Sequence, residues 1–280
     1  MSASSPTSGS PAHAPHASPS PDERVIARLR AAGCVFAEDE AALLVSTATT
    51  EAELAALLER RVAGEPLEHV LGWASFCGLR IHVEPGVFVP RPRTAFLIEH
   101  AVALAREVPG RPVILDMCCG TGAMGAAITA AVGDAIELHA ADLDPAAVRC
   151  ARRNLPGAHV HQGDLYDALP ASLRGRVDVL IASPPYVPSD ALALLPPEAR
   201  LHEPRSALDG GADGLDVVRR VIGGAAHWLA PGGRLLVETS RGQAAATAAA
   251  VSAAGLLARV ATSEELDATA VIGTLRRPAP

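Results

Sequence analysis

From residue 94 onward, short apolar segments alternate with helical patterns, and this alternation restricts the fold more than any other feature of the chain. The segments that predict strands are 112–117, 136–141, 158–162, 177–182 and 233–238. The stretches with helical spacing are 94–107, 122–132, 144–154 and 216–229. Because parallel strands need a crossover connection, usually a helix, the alternation predicts a parallel sheet with helices on both faces.

The last part of the chain departs from this alternation. Two further strands are predicted over 256–262 and 269–276, with no helix between them. Such a pair is typical of an antiparallel hairpin, which here would close one edge of the sheet. Together with the five segments above, this gives an α/β domain over residues 91–280 with a doubly wound, mostly parallel, seven-stranded sheet.

The residues before this domain form three segments of different composition. Residues 1–21 are mainly Ser, Pro, Ala and His, and they predict a disordered tail because they offer too little apolar surface to bury. Residues 22–70 predict a small helical domain, in which Thr50 and Glu53 fit a capping box. Residues 71–90 mix glycines with aromatic and β-branched residues and predict a β-hairpin linker.

Composition narrows the function classes. Of the 280 residues, 49% are hydrophobic, and the formal net charge is −7. An acidic chain lacks the basic stripe that grips a nucleic-acid backbone, so we expect no stable nucleic-acid complex. The chain contains no Lys, which excludes Schiff-base chemistry and a P-loop lysine.

Targeting signals and cysteine spacing point to an ordinary intracellular protein. No segment matches the ~20 strongly apolar residues that a bilayer requires, and residues 1–21 lack the basic start and apolar core of a secretory signal. We therefore expect a cytoplasmic protein that does not bind membranes, and we also expect it to be a monomer. The five cysteines form no C-x-x-C pair, and adjacent Cys118 and Cys119 have no His at ligand spacing, so we expect neither a disulfide framework nor a metal site.

A turn of small residues follows the first predicted strand of the sheet. It contains Gly120 and Gly122, which allow a ligand to approach the backbone, and the helix after it presents unpaired N–H groups. Gly120, Gly122 and Gly125 also satisfy a loose G-x-G-x-x-G pattern, so the spacing leaves NAD open as a ligand.

Acidic residues follow the next two strands. Asp142 stands 26 residues after Asp116, where a strand–helix–strand unit places an acid against the hydroxyls of a ribose. Asp144 precedes Pro145 and fits a helix cap. Asp164 ends the third strand, where it would either lie beside an adenine or cap the loop.

The sequence Ser183-Pro184-Pro185-Tyr186 ends the fourth strand and carries the most specific chemistry. Two prolines fix the backbone and remove two donors, which leaves carbonyl oxygens free to accept hydrogen bonds. A planar –NH2 group suits this arrangement: Ser183 Oγ and the Pro184 carbonyl would accept its hydrogens, and Tyr186 would stack beside it.

With these motifs the chain resembles the class I S-adenosylmethionine-dependent methyltransferases, and among them the release-factor glutamine N5-methyltransferase family. The resemblance covers residues 22–277 and includes the segments 88–94 (FVPRPRT), 202–216 (HEPRSALDGGADGLD) and 229–233 (LAPGG). It implies transfer of a methyl group from S-adenosylmethionine to the side-chain amide nitrogen of a protein glutamine. It also implies a release factor as partner and residues 22–70 as the substrate-recognition domain.

The resemblance assigns roles by position. The implied catalytic residues are Ser183, Pro184, Pro185 and Tyr186. The implied cofactor-binding residues are Asp116, Cys118, Gly120, Thr121, Gly122, Asp142, Leu143, Asp164, Leu165 and Ser183. The implied substrate-binding residues are Phe88, Pro90, Arg91, Glu203 and Pro204.

The chain departs from the family pattern in two places. The glutamine methyltransferases normally have Asn where this chain has Ser183, and small Gly or Thr residues where it has Cys118 and Cys119. Ser is shorter than Asn and is also a donor. With Ser at this position, the tetrapeptide is similar to that of the amino-methyltransferases that act on cytosine in DNA. Two other functions therefore stay open: N-methylation of a small molecule or nucleobase, and cofactor binding without catalysis.

Overall fold

The structure is a computed structural model that describes residues 21–133 and 135–277 of the chain. The chain divides into two compact units between Ala63 and Gly64, seven residues before the boundary expected from the sequence. Apart from Pro21, which begins the first helix, the predicted tail lies outside the described residues.

The first unit contains three helices: α1 (Pro21–Ala31), α2 (Ala37–Thr47) and α3 (Glu51–Val62). Leu29 and Leu44 are fully buried. The predicted capping box forms only in part. Thr50 Oγ1 accepts the Glu53 N–H at 3.1 Å, as expected, but the Glu53 carboxylate returns to the backbone N–H and hydroxyl of Thr49, each at 2.7 Å.

A buried ion pair joins α2 to α3. The Arg61 guanidinium donates from Nε to Glu40 Oε2 at 2.6 Å and from Nη2 to Glu40 Oε1 at 3.1 Å. Their side chains are only 8% and 10% exposed. This bidentate geometry matches the planar fork of Arg to both carboxylate oxygens, so Arg61 compensates the buried charge of Glu40.

The second unit begins with a short helix and a hairpin. Helix α4 (Leu67–Leu71) leads into strands β1 (Trp73–Phe76) and β2 (Leu79–His82), which pair antiparallel. Cys77 and Gly78 form the two-residue connection with φ angles of 49° and 75°, as a type I′ turn requires. The strands thus occupy only the first half of the segment 71–90, and the rest is loop.

The sheet of the second unit has seven strands in the order β5-β4-β3-β6-β7-β9-β8. The strands are β3 (Val113–Met117), β4 (Glu137–Asp142), β5 (His159–Gln162), β6 (Val177–Ala182), β7 (Leu229–Thr239), β8 (Leu257–Ser263) and β9 (Ala268–Thr274). Strands β3 to β7 pair parallel, and β9 pairs antiparallel with both β7 and β8. The predicted fold class and the closing hairpin are confirmed.

Helices cover both faces of this sheet. They are α5 (Ala95–Glu107), α6 (Ala123–Val132), α7 (Pro145–Asn154), α9 (Asp216–Trp228) and α10 (Ala244–Ala253). The short helix α8 (Pro197–His202) precedes α9 in the chain and has no buried residue. One core cluster combines strand residues such as Ile114 with Ile98 and Ile128 of α5 and α6. The other combines residues such as Leu115 with Ile222 and Val251 of α9 and α10. Successive residues of β3 therefore enter opposite layers, as the period of a strand requires.

Strand order reverses at β3, whose parallel neighbours are β4 on one side and β6 on the other. In an open α/β sheet this reversal leaves a crevice outside the carboxyl ends of the strands. Among the residues that the structure describes, no helix is long and apolar enough to cross a membrane.

The buried ion pair of the first unit gives a stability prediction. Arg61→Met should lower the free energy of unfolding of α2 and α3 by about 3 kcal/mol, because Glu40 is left as an unpaired buried charge. The double variant Glu40→Leu/Arg61→Met should recover most of the loss. Hydrogen–deuterium exchange of residues 37–62 measures the effect in the full chain. Equal exchange rates in the single variant and the native chain would contradict the prediction.

Candidate active site

A cavity of about 420 Å³ opens at the carboxyl ends of β3, β4 and β6. Its wall includes most of the residues that the sequence singled out: Phe88, Pro90, Arg91, Cys118, Gly120, Thr121, Asp142, Leu143, Asp164, Leu165, Ser183, Pro185 and Pro204. The chain folds these distant segments to one place because parallel strands bring their carboxyl ends to the same edge of the sheet.

The turn after β3 has a tight backbone. Cys118, Gly120 and Gly122 have φ angles of 59°, 54° and 77°. Residues other than Gly rarely adopt positive φ angles of this size. The two glycines serve different purposes. A Cβ at Gly122 would lie 2.9 Å from Leu155 Cδ1, whereas one at Gly120 would meet no protein atom within 4 Å. Gly122 therefore allows close packing, and Gly120 leaves space open on the cavity wall.

Asp142 holds this turn in place from the end of β4. Its Oδ2 accepts the Gly120 N–H and its Oδ1 accepts the Asp144 N–H, both at 2.9 Å. Burial raises the pKa of this carboxyl. Asp144 accepts the Ala146 N–H at 2.7 Å and caps α7 ahead of Pro145, as the sequence predicts. Asp142 keeps lone pairs for further donors at the cavity.

Asp116 lies beneath the turn and does not line the cavity. It is fully buried, its Oδ2 accepts the Gly125 N–H at 2.9 Å, and its Oδ1 has no partner among the described residues. Burial raises its pKa to about 8. Gly125 packs against Asp116 and Leu138, where a Cβ would be 3.1 Å from Leu138 Cδ2, so the third glycine of the loose pattern serves packing.

Asp164 and Leu165 stand at the end of β5. The Asp164 carboxylate pairs with Arg220 of α9 at 2.7 Å, and both side chains are about half exposed. Leu165 has a φ angle of 50° and faces the cavity. The acid is thus an ion-pair partner rather than a loop cap, and it holds Arg220 at the cavity wall.

The loop Ser183–Tyr186 continues from β6 across the cavity. Ser183 and Pro185 line the wall, while Pro184 is buried. The Pro184 carbonyl accepts no hydrogen bond within the described part of the chain. Gln243, which immediately precedes α10, donates from Nε2 to the Tyr186 carbonyl at 2.9 Å and to the Asp213 carbonyl at 3.0 Å, and so anchors the loop.

A buried carboxylate that the sequence reasoning missed joins this loop. Glu238 of β7 is 5% exposed. Its Oε2 accepts the hydroxyls of Thr94 at 2.7 Å and Ser183 at 3.3 Å, and its Oε1 accepts the Tyr186 hydroxyl at 3.3 Å. Arg93 Nε is 3.6 Å from Oε1. The signal in the sequence was an acid within the apolar run 235–239 of a central strand, where charge is rare unless paired.

Tyr186 turns its hydroxyl toward this carboxylate. Its ring packs against the core with Val217, and its Oη accepts from Arg93 Nη2 at 3.0 Å. Burial, followed by the nearby charge of Glu238, raises the pKa of Tyr186 to about 12. The phenol therefore stays neutral near pH 7, and it donates to Glu238.

The segment around Phe88 is tied down by Glu203. The Glu203 carboxylate accepts the Val89 N–H at 3.1 Å and pairs with Arg91 Nη2 at 2.6 Å. The Arg91 guanidinium lies 4.6 Å from the centre of the Phe88 ring. Phe88, Pro90, Arg91 and Pro204 face the cavity, but Glu203 does not. Its role is to hold the wall in place.

The fold is that of a class I methyltransferase. A methyltransferase from Pyrococcus furiosus has the same fold, with a TM-score of 0.53, 18% sequence identity and coverage of 71% of this chain and 90% of that chain. Residues 78–198 match the methyltransferase small domain family.

Curated relatives show to which methyltransferase family the chain belongs. The chain is 40% identical to a release factor glutamine methyltransferase of Streptomyces coelicolor over 65% of each chain. It is 36% identical to one of Bradyrhizobium diazoefficiens over 82% of this chain and 85% of that protein. It is also 39% identical to a 4-amino-L-phenylalanine/4-methylamino-L-phenylalanine methyltransferase of Streptomyces pristinaespiralis, over 71% of this chain and 69% of that protein. The chain belongs to the release factor glutamine methyltransferase family.

The buried Asp116 carboxyl gives a pH prediction. Its pKa is about 8 in the folded chain and about 4 in the unfolded chain. The unfolded chain therefore releases the proton first. The contribution of this residue to the free energy of unfolding is full below about pH 4 and is lost as pH rises to about 8. Asp116→Asn, which is neutral throughout, should flatten the stability curve over this range and be more stable than the native chain at pH 8.

Urea unfolding followed by the fluorescence of Trp73 and Trp228, both in the second unit, measures this curve. The exposed Asp190→Asn serves as the matched control, and its curve should follow that of the native chain. If the free energy of unfolding of Asp116→Asn changes with pH in parallel with that of the native chain, the carboxyl has no raised pKa in the folded chain, and the prediction is wrong.

Proposed function

We propose that this chain transfers the methyl group of S-adenosylmethionine to the side-chain amide nitrogen of a glutamine in a peptide chain release factor. Family membership supports the reaction class. The observation that carries the proposal is the position of Ser183 on the wall of the cavity that also exposes Gly120 and Asp142. One continuous space thus joins a nucleoside-type site to a loop that accepts an –NH2 group.

The residues of the cavity fit S-adenosylmethionine. Asp142 offers carboxylate oxygens for the ribose hydroxyls, and Leu143 and Leu165 offer apolar surface for the adenine. The open space at Gly120 suits the methionine end, which would approach the backbone of residues 118–121. The buried position of Asp116 argues against the direct contact with the ammonium group that the resemblance implied, so we assign it the support of the turn through Gly125.

The loop Ser183–Tyr186 would hold the methyl acceptor. When bound, S-adenosylmethionine supplies an electrophilic methyl group on its sulfonium. An amide nitrogen is a poor nucleophile because its lone pair is delocalised into the carbonyl. Ser183 Oγ and the Pro184 carbonyl, as acceptors of its two N–H groups, would localise that lone pair and aim it, and fixed geometry of this kind contributes much of the acceleration in transfer reactions.

The walls of the cavity would exclude water from this end. Phe88, Pro90 and Pro204 line it with apolar surface, and the Glu203–Arg91 pair fixes the segment that carries Phe88 and Pro90. No metal is needed in this scheme, since the proton can leave the nitrogen after transfer.

A small-molecule amine is the second candidate acceptor. Ser183 replaces the Asn of the glutamine methyltransferases, and a relative of comparable identity is named for 4-amino-L-phenylalanine. A serine leaves more room than an asparagine at the cavity wall, which suits an aromatic amine that lies deeper than a glutamine side chain.

The two acceptors can be separated directly. The purified chain is incubated with S-adenosylmethionine and either a release factor from the same organism or 4-amino-L-phenylalanine, and the products are analysed by mass spectrometry. We expect a gain of one methyl group on the glutamine of the Gly-Gly-Gln loop of the release factor. Methylation of the free amino acid alone would replace the proposed acceptor with the second candidate. Methylation of neither would contradict both.

The acceptor loop gives a prediction for turnover. Ser183→Ala and Tyr186→Ala should each lower kcat at least tenfold, about 1.4 kcal/mol of barrier. In the first variant the acceptor nitrogen loses a hydrogen-bond partner, and in the second the loop loses the contact with Glu238 that holds it in place. Cofactor affinity, measured by calorimetric titration, should change less than twofold. The exposed Ser172→Ala is the matched control. A turnover within threefold of the native value in both loop variants would reject the assignment of this loop.

A further inference from the structure

Glu238 has more donors than a purely structural acid in a sheet requires. Three hydroxyls donate to its carboxylate, from Thr94, Ser183 and Tyr186, and the Arg93 guanidinium lies within ion-pair distance. Two of these partners belong to the loop that holds the methyl acceptor. The carboxylate therefore lies directly behind the acceptor site, on the strand beside β6.

The contact with Ser183 decides what that serine can do. A hydroxyl has one proton to donate and two lone pairs that accept. The Ser183 proton is directed to Glu238 Oε2, and a carboxylate oxygen can only accept. Ser183 lines the cavity, and the remaining capacity of its Oγ is therefore that of an acceptor.

An asparagine at this position would not need a neighbouring carboxylate to act as an acceptor. Its carbonyl oxygen is an acceptor by constitution, whereas a serine hydroxyl can rotate and donate into the cavity. A donor there would face the N–H groups of the substrate, which is a mismatch of donor against donor. A neighbouring carboxylate removes this alternative.

We propose that Glu238 is a positioning residue that holds the Ser183 hydroxyl as a hydrogen-bond acceptor for the nitrogen to be methylated. The inference rests on the proposed function of the loop. It defines the acceptor as a group that brings at least one N–H to Ser183 and another to the Pro184 carbonyl, that is, a primary amide or a primary amine. Glu238 does not touch the acceptor and acts only through Ser183.

The test measures whether the effect of Glu238 depends on the residue at position 183. Glu238→Met keeps the side-chain length but removes the acceptor oxygens, and it should lower kcat/KM for the methyl acceptor at least tenfold. Glu238→Gln keeps one oxygen that can accept from Thr94 and Ser183, and it should recover most of this loss. Cofactor affinity should stay within twofold of the native value in both variants.

The same substitution is then made in a Ser183→Asn chain. In that chain the hydrogen-bond acceptor at position 183 no longer depends on a neighbour, so Glu238→Met should lower kcat/KM less than threefold. If Glu238 were merely structural, Glu238→Met would lower kcat/KM by the same factor with Ser or Asn at position 183, and that outcome would overturn the inference. An inactive Ser183→Asn chain would also overturn it, because a constitutive acceptor would then fail to replace the serine and its carboxylate.

Thr94→Val is the matched control for the loss of one hydrogen bond to Glu238. It leaves the contact between Ser183 and Glu238 in place, so its cost should not depend on residue 183. If Glu238→Met does not bind the cofactor, Glu238→Asp takes its place, since its carboxylate recedes from Ser183 by one methylene. A native chain that methylates neither a release factor nor 4-amino-L-phenylalanine would overturn the proposed function itself, whereas an active chain without coupling would overturn only the role of Glu238.

Discussion

The reversal of strand order at β3 is the constraint on which the rest of the second unit depends. Because β4 and β6 lie on opposite sides of β3, the turn after β3 has neighbours on both flanks and covers the crevice between them. Asp142 then reaches the Gly120 N–H from one side, and Ser183 enters the cavity from the other. A sheet wound in one direction would place β5, and not the turn after β3, between these two residues.

Local pattern was sufficient wherever a residue acts within its own strand and turn. The strands, the Asp144 cap and the positions of Asp142 and Ser183 follow from chain order and from the rule that parallel strands end at one edge. Of the capping box, Thr50 keeps its predicted contact with the Glu53 N–H, and only the return contact of the Glu53 carboxylate goes to Thr49. For Asp116 the pattern shows that an acid ends a strand, but not that its side chain is buried and accepts the Gly125 N–H.

Glu238 was beyond sequence reasoning for a different reason. Its partners come from residues 93–94, 183 and 186, and their meeting depends on the pairing of β6 with β7 and on where the chain enters α5. Such lateral contacts cannot be obtained from spacing along one strand. The buried acid in an apolar run was visible, but a single sequence does not say which donors surround it.

The two ends of the cavity solve different electrostatic problems. At the Asp142 end, a half-buried carboxyl with a raised pKa is held by backbone N–H groups and keeps lone pairs for neutral hydroxyls. At the Ser183 end, the Glu238 carboxylate lies within ion-pair distance of Arg93 and accepts three hydroxyl groups. Under the proposed function the loop would offer neutral acceptors to an –NH2 group, and the charge of Glu238 would fix which way the hydroxyl protons point.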